Sequence, residues 1–332
     1  MSVLLLGAGG FLGLNTFDAL RAVGLDPLCG RRRRSNVLGL RQRGARLVEA
    51  DLDKPDTLRE AMNGCRTVVH LAGHYPRFSN TPEESVALGV HQTRTVLDAA
   101  AAAGVQRLVY VSSTATVARR PDASSTEADT FDSAPGFGTY HRLKWAMEAL
   151  VGSERRFLTA TVCPGACLGA FDWKVGTSAL LWQILRKEPL AYPDGIISWV
   201  DARDVGEALA RLATMSSPPP RVLLSAGSVS ARALLRRVVE RWGSPPLPEP
   251  LSPPEAQALA DAEEEAAAGR GTRPKLSREI VDLVVHGAPI DAGLSKAALG
   301  QTYRSFDETL LAFEGWAQAM GAHIPPNPKV HP

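Results

Sequence analysis

Tyr140 and Lys144 stand four residues apart in GTYHRLKWAMEAL. On a helix that spacing puts both side chains on one face, one turn apart. An ammonium beside a phenol favours the phenolate and lowers the tyrosine pKa towards working pH, so the pair could move a proton. Taken alone, a YxxxK spacing is as readily a surface accident. Upstream, the run YVSSTATV closes on hydroxyls, and either Ser113 or Thr114 there could hydrogen-bond a substrate oxygen. Earlier still, LLLGAGGFLG spaces Gly7, Gly10 and Gly13 behind an apolar run and ahead of a helical one, with Gly9 extra. A turn that tight, approached closely by a phosphate, leaves no room for side chains. A pyrophosphate there would sit on the helix N-terminus, where free N–H groups and the helix dipole favour negative charge. Glycines that merely pack helix on strand are the alternative. The order of the three parts along the chain turns each from a coincidence into a component of one dinucleotide-dependent site.

These residues need a scaffold, and the first half of the chain supplies its pattern. Short apolar runs at 3–6, 25–29, 45–48, 67–71, 107–112 and 158–163 alternate with helical stretches at 11–23, 57–62, 82–103 and 137–151. Apolar strands alternating with helices predict an α/β doubly wound parallel sheet of Rossmann type, with both faces covered. Ligands bind such sheets at the carboxyl ends of the strands. Later segments read as helices at 175–187, 203–215, 229–242 and 305–320, and as strands at 196–200 and 222–225. The proline-rich 244–256 is a break, 255–268 an exposed helix and 269–275 mobile. The expected division is a dinucleotide-binding domain from 1–165 and about 196–226. A smaller, mostly helical C-terminal substrate domain takes about 166–195 and 227–332.

The second strand selects the dinucleotide. An acidic residue at its end would accept from a ribose 2′-hydroxyl, the mark of NAD. Here the run ends LCGRRRRSN, with arginines in that place. A guanidinium grips a 2′-phosphate where a carboxylate would repel it. NADP(H) is therefore favoured, with NAD(H) as the alternative. Arg31 and Arg32 are the candidate contacts, and Arg33 and Arg34 a solvated face. The run is no nucleic-acid footprint, because nothing extends it into a patch. The 332 residues carry a net charge of +2, so no global field attracts a polyanion. Cys29, Cys65, Cys163 and Cys167 lack metal-site spacing and read as buried free thiols, with no metal expected. The N-terminal ten residues lack the basic region of a signal peptide, and no run approaches the ~20 apolar residues of a membrane span. A cytoplasmic protein without a membrane partner is the expectation.

With the glycine turn, the Ser/Thr strand end and YxxxK in that order, the sequence resembles the extended short-chain dehydrogenase/reductases over nearly its whole length. It looks most like the branch of dihydroflavonol reductases and 3β-hydroxysteroid dehydrogenases. LGAGGFLG is similar to the GxxGxxG loop, which brings Phe11 and Leu12 to the cofactor with the three glycines. Asp51, with Leu52, in EADLDKP resembles the family's aspartate beside the adenine. VVHLAG resembles the strand whose end, Leu71, Ala72 and Gly73, lines the cofactor, as does the strand end at Ser112. CPGACLGAFD is similar to the turn over the nicotinamide, here Pro164, Gly165 and Ala166. WVDARDVGEAL and the closing SKAALGQTYRSFDETLLAFEGW are similar to later family segments. The resemblance implies that Tyr140 is the proton donor or acceptor and that Lys144 holds the nicotinamide ribose. Thr114 best matches the active-site Ser/Thr, with Ser113 as the fallback. It also implies a homodimer built on two helices from each copy.

The chain departs from the family at three positions. Leu6 replaces a frequent threonine. Gly89 stands where an asparagine commonly supports the active-site lysine. Leu143 replaces a frequent serine, with little consequence expected. On the substrate side, His74 and Tyr75 in HYPRFSN follow the fourth strand at its carboxyl end. Trp173, Trp182, Tyr192 and Trp199 could wall a flat or apolar ligand or equally pack the small domain. Sugar-nucleotide enzymes of the family often carry an arginine at the position of Ile197. The leading expectation is an NADPH-dependent reductase of a ketone on an apolar or aromatic small molecule, flavonoid- or steroid-like. A nucleotide-sugar epimerase or dehydratase with bound NAD comes second, and a non-catalytic NADPH sensor third.

Overall fold

The computed structural model describes residues 2–76, 80–244 and 246–325. Part of the expected substrate loop, residues 77–79 of HYPRFSN, lies outside them, as does residue 245 of the proline-rich break.

Seven parallel strands form the main sheet. They are β1 (Val3–Leu6), β2 (Leu28–Arg31), β3 (Arg46–Glu49), β4 (Thr67–His70), β5 (Arg107–Val111), β6 (Leu158–Pro164) and β9 (Arg221–Leu224), in the order β3-β2-β1-β4-β5-β6-β9. The reversal between β1 and β4 is the switch point at which such sheets bind ligands. Every side chain of β1 and β4 is buried, as strands covered on both faces require. One face packs on α1 (Phe11–Ala22) and α7 (Ala202–Thr214), through Leu14, Phe17, Val205 and Leu209. The other packs on α3 (Pro55–Met62), α4 (Pro82–Ala102) and α5 (Thr139–Gly152), through Leu58, Val96, Leu143 and Met147. No helix among the described residues is long and apolar enough to cross a membrane.

Strand β2 begins three residues later than the apolar run predicts. Leu25 N–H closes the end of α1 on Leu20 O at 3.0 Å, so the residues before Leu28 belong to a turn. The shift carries Arg31 into the strand, opposite Glu49 of β3.

A second, three-stranded sheet is built from β7 (Ala166–Leu168), β8 (Ile196–Asp201) and β10 (Gly227–Ser230), in the order β10-β8-β7. Strand β8 pairs with β7 in parallel and with β10 antiparallel, whereas β9 belongs to the main sheet. The small sheet packs with α6 (Ala179–Leu185), α8 (Ala231–Trp242) and α12 (Phe306–Ala319) around an aromatic core. Helix α6 is shorter than its apolar pattern, because Asp172 accepts from Gly176 N–H, Ser178 N–H and Ser178 Oγ and holds the preceding residues in a turn. The proline-rich break is shorter too. Helix α9 (Pro253–Arg270) starts at its last prolines, where a missing N–H costs nothing. Glu255 accepts from Ser252 N–H at 2.9 Å and caps it. Instead of lying fully exposed, α9 buries Ala256 and Ala260 against α10 (Arg278–Val285). The segment expected to be mobile is tied down by Thr272 N–H to Ala267 O at 3.0 Å and by Gln183 Nε2 to Lys275 O at 3.1 Å.

WVDARDV runs from β8 of the small sheet directly into α7. Buried Asp201 caps α7 through Arg203 N–H at 2.8 Å and accepts from Thr309 Oγ1 of α12 at 2.8 Å. Asp204 takes Arg304 N–H at 2.9 Å. The closing segment is thereby bonded to the first turns of α7.

Candidate active site

The glycine turn forms where β1 meets α1. Gly7 has φ +84°, and a Cβ there would lie 2.8 Å from Ala72 N. A Cβ on Gly13 would lie 2.2 Å from Gly7 O. The loop therefore presses against both its own helix and the end of β4. Gly10 caps α1 without a side-chain acceptor, which leaves the first-turn N–H groups to a phosphate. Phe11 and Leu12 follow, half-buried, and Leu71, Ala72 and Gly73 form the facing wall. These residues fit a dinucleotide.

At the end of β2, Arg31 Nη1 reaches Arg33 O at 3.4 Å and Arg32 N–H donates to Ser35 Oγ at 3.1 Å. Among the described residues no carboxylate pairs with Arg31, Arg32, Arg33 or Arg34. Asp51 begins the next loop, its carboxylate accepting from Asp53 N–H at 3.3 Å and its own N–H donating to Thr57 Oγ1, with Leu52 buried behind it.

The catalytic candidates gather at the carboxyl ends of β5 and β6. Tyr140 enters on the first turn of α5 and Lys144 one turn later. Lys144 Nζ donates to Val111 O at 3.1 Å, and it lies 5.8 Å from the Tyr140 ring centre. Of the two candidate hydroxyls, Ser113 is the one near enough to Tyr140 to act on its pKa. Ser113 Oγ also accepts from Ala115 N–H at 3.1 Å. Thr114 opens the short turn Thr114–Thr116, half-exposed beside it.

The electrostatics differ from the simple expectation of a tyrosine held low by its lysine. Burial pushes the Tyr140 hydroxyl well above its ordinary range, Tyr75 adds to the rise, and the nearby Ser113 hydroxyl opposes it. Burial lowers Lys144 to about 8, with Cys163 and Glu148 pulling the other way. Burial thus favours the neutral form of both groups.

Beneath this pair lies a polar cluster that the motif reading did not contain. Glu148, four residues beyond Lys144 on α5, accepts from Ser112 Oγ at 2.5 Å, Thr116 Oγ1 at 2.7 Å and Arg221 Nε at 2.6 Å. Ser112 therefore turns its hydroxyl under the strand end and not towards the cofactor side. Arg221 of β9 also donates to Glu127 O at 2.7 Å. The i+4 step from Lys144 to Glu148 is a signal the sequence carried. Nothing local points to Arg221.

Tyr75 covers Tyr140, their ring centres 5.1 Å apart, and His74 sits half-buried in the same loop. Pro164 ends β6, and Gly165 lies so close to β8 that a Cβ would fall 2.4 Å from Ser198 O; Ala166 starts β7. Of the four aromatic candidates, Trp182, Tyr192 and Trp199 are buried in the core of the small unit. Trp173 alone of these is 43% exposed, set edge-on to Trp316 at 5.4 Å.

The family model described as NAD dependent epimerase/dehydratase family matches residues 3–224. A putative dihydroflavonol 4-reductase of Synechocystis sp. is 28% identical over 331 residues, covering 95% of this chain and 94% of that protein. A 4-hydroxy-2-methyl-3-oxo-4-farnesyl-3,4-dihydroquinoline-1-oxide ketoreductase of Stigmatella aurantiaca is 29% identical, over 73% of this chain and 74% of that one. Among solved structures, a nucleoside-diphosphate-sugar epimerase from Pseudomonas aeruginosa superposes with a TM-score of 0.80 at 26% identity, covering 97% and 99% of the two chains. The glycine turn at the switch point, the Tyr140–Lys144 pair and this match over two-thirds of the chain agree: the protein belongs to the NAD-dependent epimerase/dehydratase family of extended short-chain dehydrogenase/reductases and is an NAD(P)-dependent oxidoreductase of that type.

Proposed function

We propose that the protein reduces a ketone on a small apolar or aromatic molecule with NADPH, Tyr140 giving the proton. The observation that carries this reading is the place of Tyr140, one turn before the anchored Lys144 on α5 and covered by the Tyr75 ring at 5.1 Å. When bound, the nicotinamide supplies the hydride. Ser113 and Tyr140 together hold the carbonyl oxygen. As negative charge develops there, Tyr140 hands over its proton, and donors aimed at that oxygen stabilise the change. Lys144, anchored on Val111 O, keeps a positive charge beside the phenolate that remains. Tyr75 and the Pro164–Gly165 turn exclude water. Two of the reductases similar to this chain are named for a dihydroflavonol and a dihydroquinoline-oxide, in keeping with such a substrate. Arg31 and Arg32 take the 2′-phosphate, and His74, Tyr75, Thr114 and Trp173 border the substrate. A homodimer through α4 and α5 belongs to the same reading, and light scattering of the purified protein tests it.

The direct test is NADPH oxidation with a panel holding a dihydroflavonol, a 3-oxosteroid and simple cyclic ketones. Tyr140→Phe should lower kcat by a factor on the order of 10³ while NADPH binding stays within about twofold. A variant that keeps its rate sinks the assignment. The similarity to a sugar-nucleotide epimerase supports a second reading. NAD retained through purification, with turnover of a UDP- or dTDP-sugar, would favour it.

A further inference from the structure

Helix α5 carries Tyr140 and Lys144, yet its own sequence gives it no N-terminal cap. Its N-cap residue is Gly138, which has no side-chain acceptor, and the first turn holds no acidic residue. A helix start without partners leaves N–H groups unsatisfied and a positive dipole end uncompensated. The missing partner comes from 139 residues further along the chain. Glu279, in the first turn of α10, accepts from Tyr140 N–H at 2.9 Å.

We propose that Glu279 is a positioning residue for the reaction: from the C-terminal unit it caps the catalytic helix and sets the place of Tyr140 in the site. The inference rests on the reading of Tyr140 as proton donor.

Three features make the contact more than an incidental ion at a helix end. The accepting carboxylate bonds the backbone of the catalytic residue itself, so a shift of α10 moves that residue first. Glu279 also lies close enough to raise the pKa of both Tyr140 and Tyr75. Its helix is itself well anchored. Ser277 caps α10 through Ile280 N–H at 3.4 Å, and Arg278 holds it to α9 through Asp261 at 2.6 Å. Behind α5, His286 at the end of α10 stacks on Phe137 with ring centres 3.7 Å apart. Both ends of α10 therefore grip the segment that leads into the catalytic helix. Placement of the reacting group within a fraction of an ångström is worth orders of magnitude in rate. A cap lent by the substrate-side unit makes that placement depend on how this unit sits.

The test uses the full chain with Glu279→Ala and Glu279→Gln, the amide keeping an acceptor oxygen. Hydrogen exchange at the Tyr140 amide should speed up roughly tenfold in the alanine variant and stay within about twofold in the glutamine one. With the fastest ketone of the panel, the alanine variant should lose roughly tenfold in kcat per NADPH-binding site. KM for NADPH should be unchanged, the solvent isotope effect larger, and glutamine should restore most of the rate. Unchanged exchange and rate in Glu279→Ala overturn the proposal, and so does a loss that glutamine does not relieve. The exchange measurement needs no turnover, and Tyr140→Phe reads the reductase assignment separately.

Discussion

Leu143 of α5 fills the space left by Gly89 of α4. A Cβ on Gly89 would lie 2.2 Å from Leu143 Cδ1 and 3.1 Å from Met147 Sδ. Two departures from the family, read separately in the sequence, are thus one complementary pair. The leucine, expected to matter little, occupies the space that a side chain at position 89 would need.

Gly89→Asn alone should therefore destabilise the protein by about 1–3 kcal/mol through overpacking. Adding Leu143→Ser should recover much of that loss. Urea unfolding of the single and double variants measures the coupling. Strictly additive effects would show that the two residues do not share this space.

The arginines after β2 should act on one cofactor only. Arg31→Ala with Arg32→Ala should weaken NADPH by roughly 10- to 100-fold, the worth of one or two charge-assisted hydrogen bonds. NADH should change by less than about threefold. Fluorescence titration of both cofactors decides it. Equal weakening would make the run surface charge and reopen the cofactor preference.

The pH profile should carry the signature of Lys144. Its pKa is lowered to about 8, so the cation is present below that value and lost above it. The reduction's kcat/KM should then fall as pH rises through about 8. Glu148 raises the Lys144 value, so Glu148→Gln should move that limb to lower pH by roughly half a unit or more. The same change breaks the partly buried pair with Arg221 and should cost about 3 kcal/mol of stability. A limb that stays put in Glu148→Gln, or one absent from the native enzyme, refutes the assignment.

The parts of the site that were legible beforehand are those in which one short segment carries both the residues and their spacing. Gly7, Gly10 and Gly13 are such a case, because a turn that must clear Ala72 and Gly7 O admits no side chain. Tyr140 and Lys144 are another, because helical periodicity alone puts them on one face. The alternation of apolar strands and helices likewise implied the parallel sheet, since strands buried on both faces are apolar nearly throughout.

Tertiary structure decided what depends on meeting distant chain. It set Ser113 near enough to act on the Tyr140 phenol and left Thr114 half-exposed in the turn that β5 makes as it ends. It sent Trp182, Tyr192 and Trp199 into the core of the small unit and left Trp173 at the surface, a division that composition cannot make. It pushed the Tyr140 pKa up, because burial and Tyr75 outweigh the opposing Ser113 hydroxyl. It also brought Glu148 to Arg221 and Glu279 to Tyr140, pairs separated by 73 and 139 residues. Periodicity and turn chemistry reach over a few residues, so they specify a helix and its face. Which carboxylate satisfies that helix's free N–H groups is settled only when two units pack and a buried donor must find an acceptor.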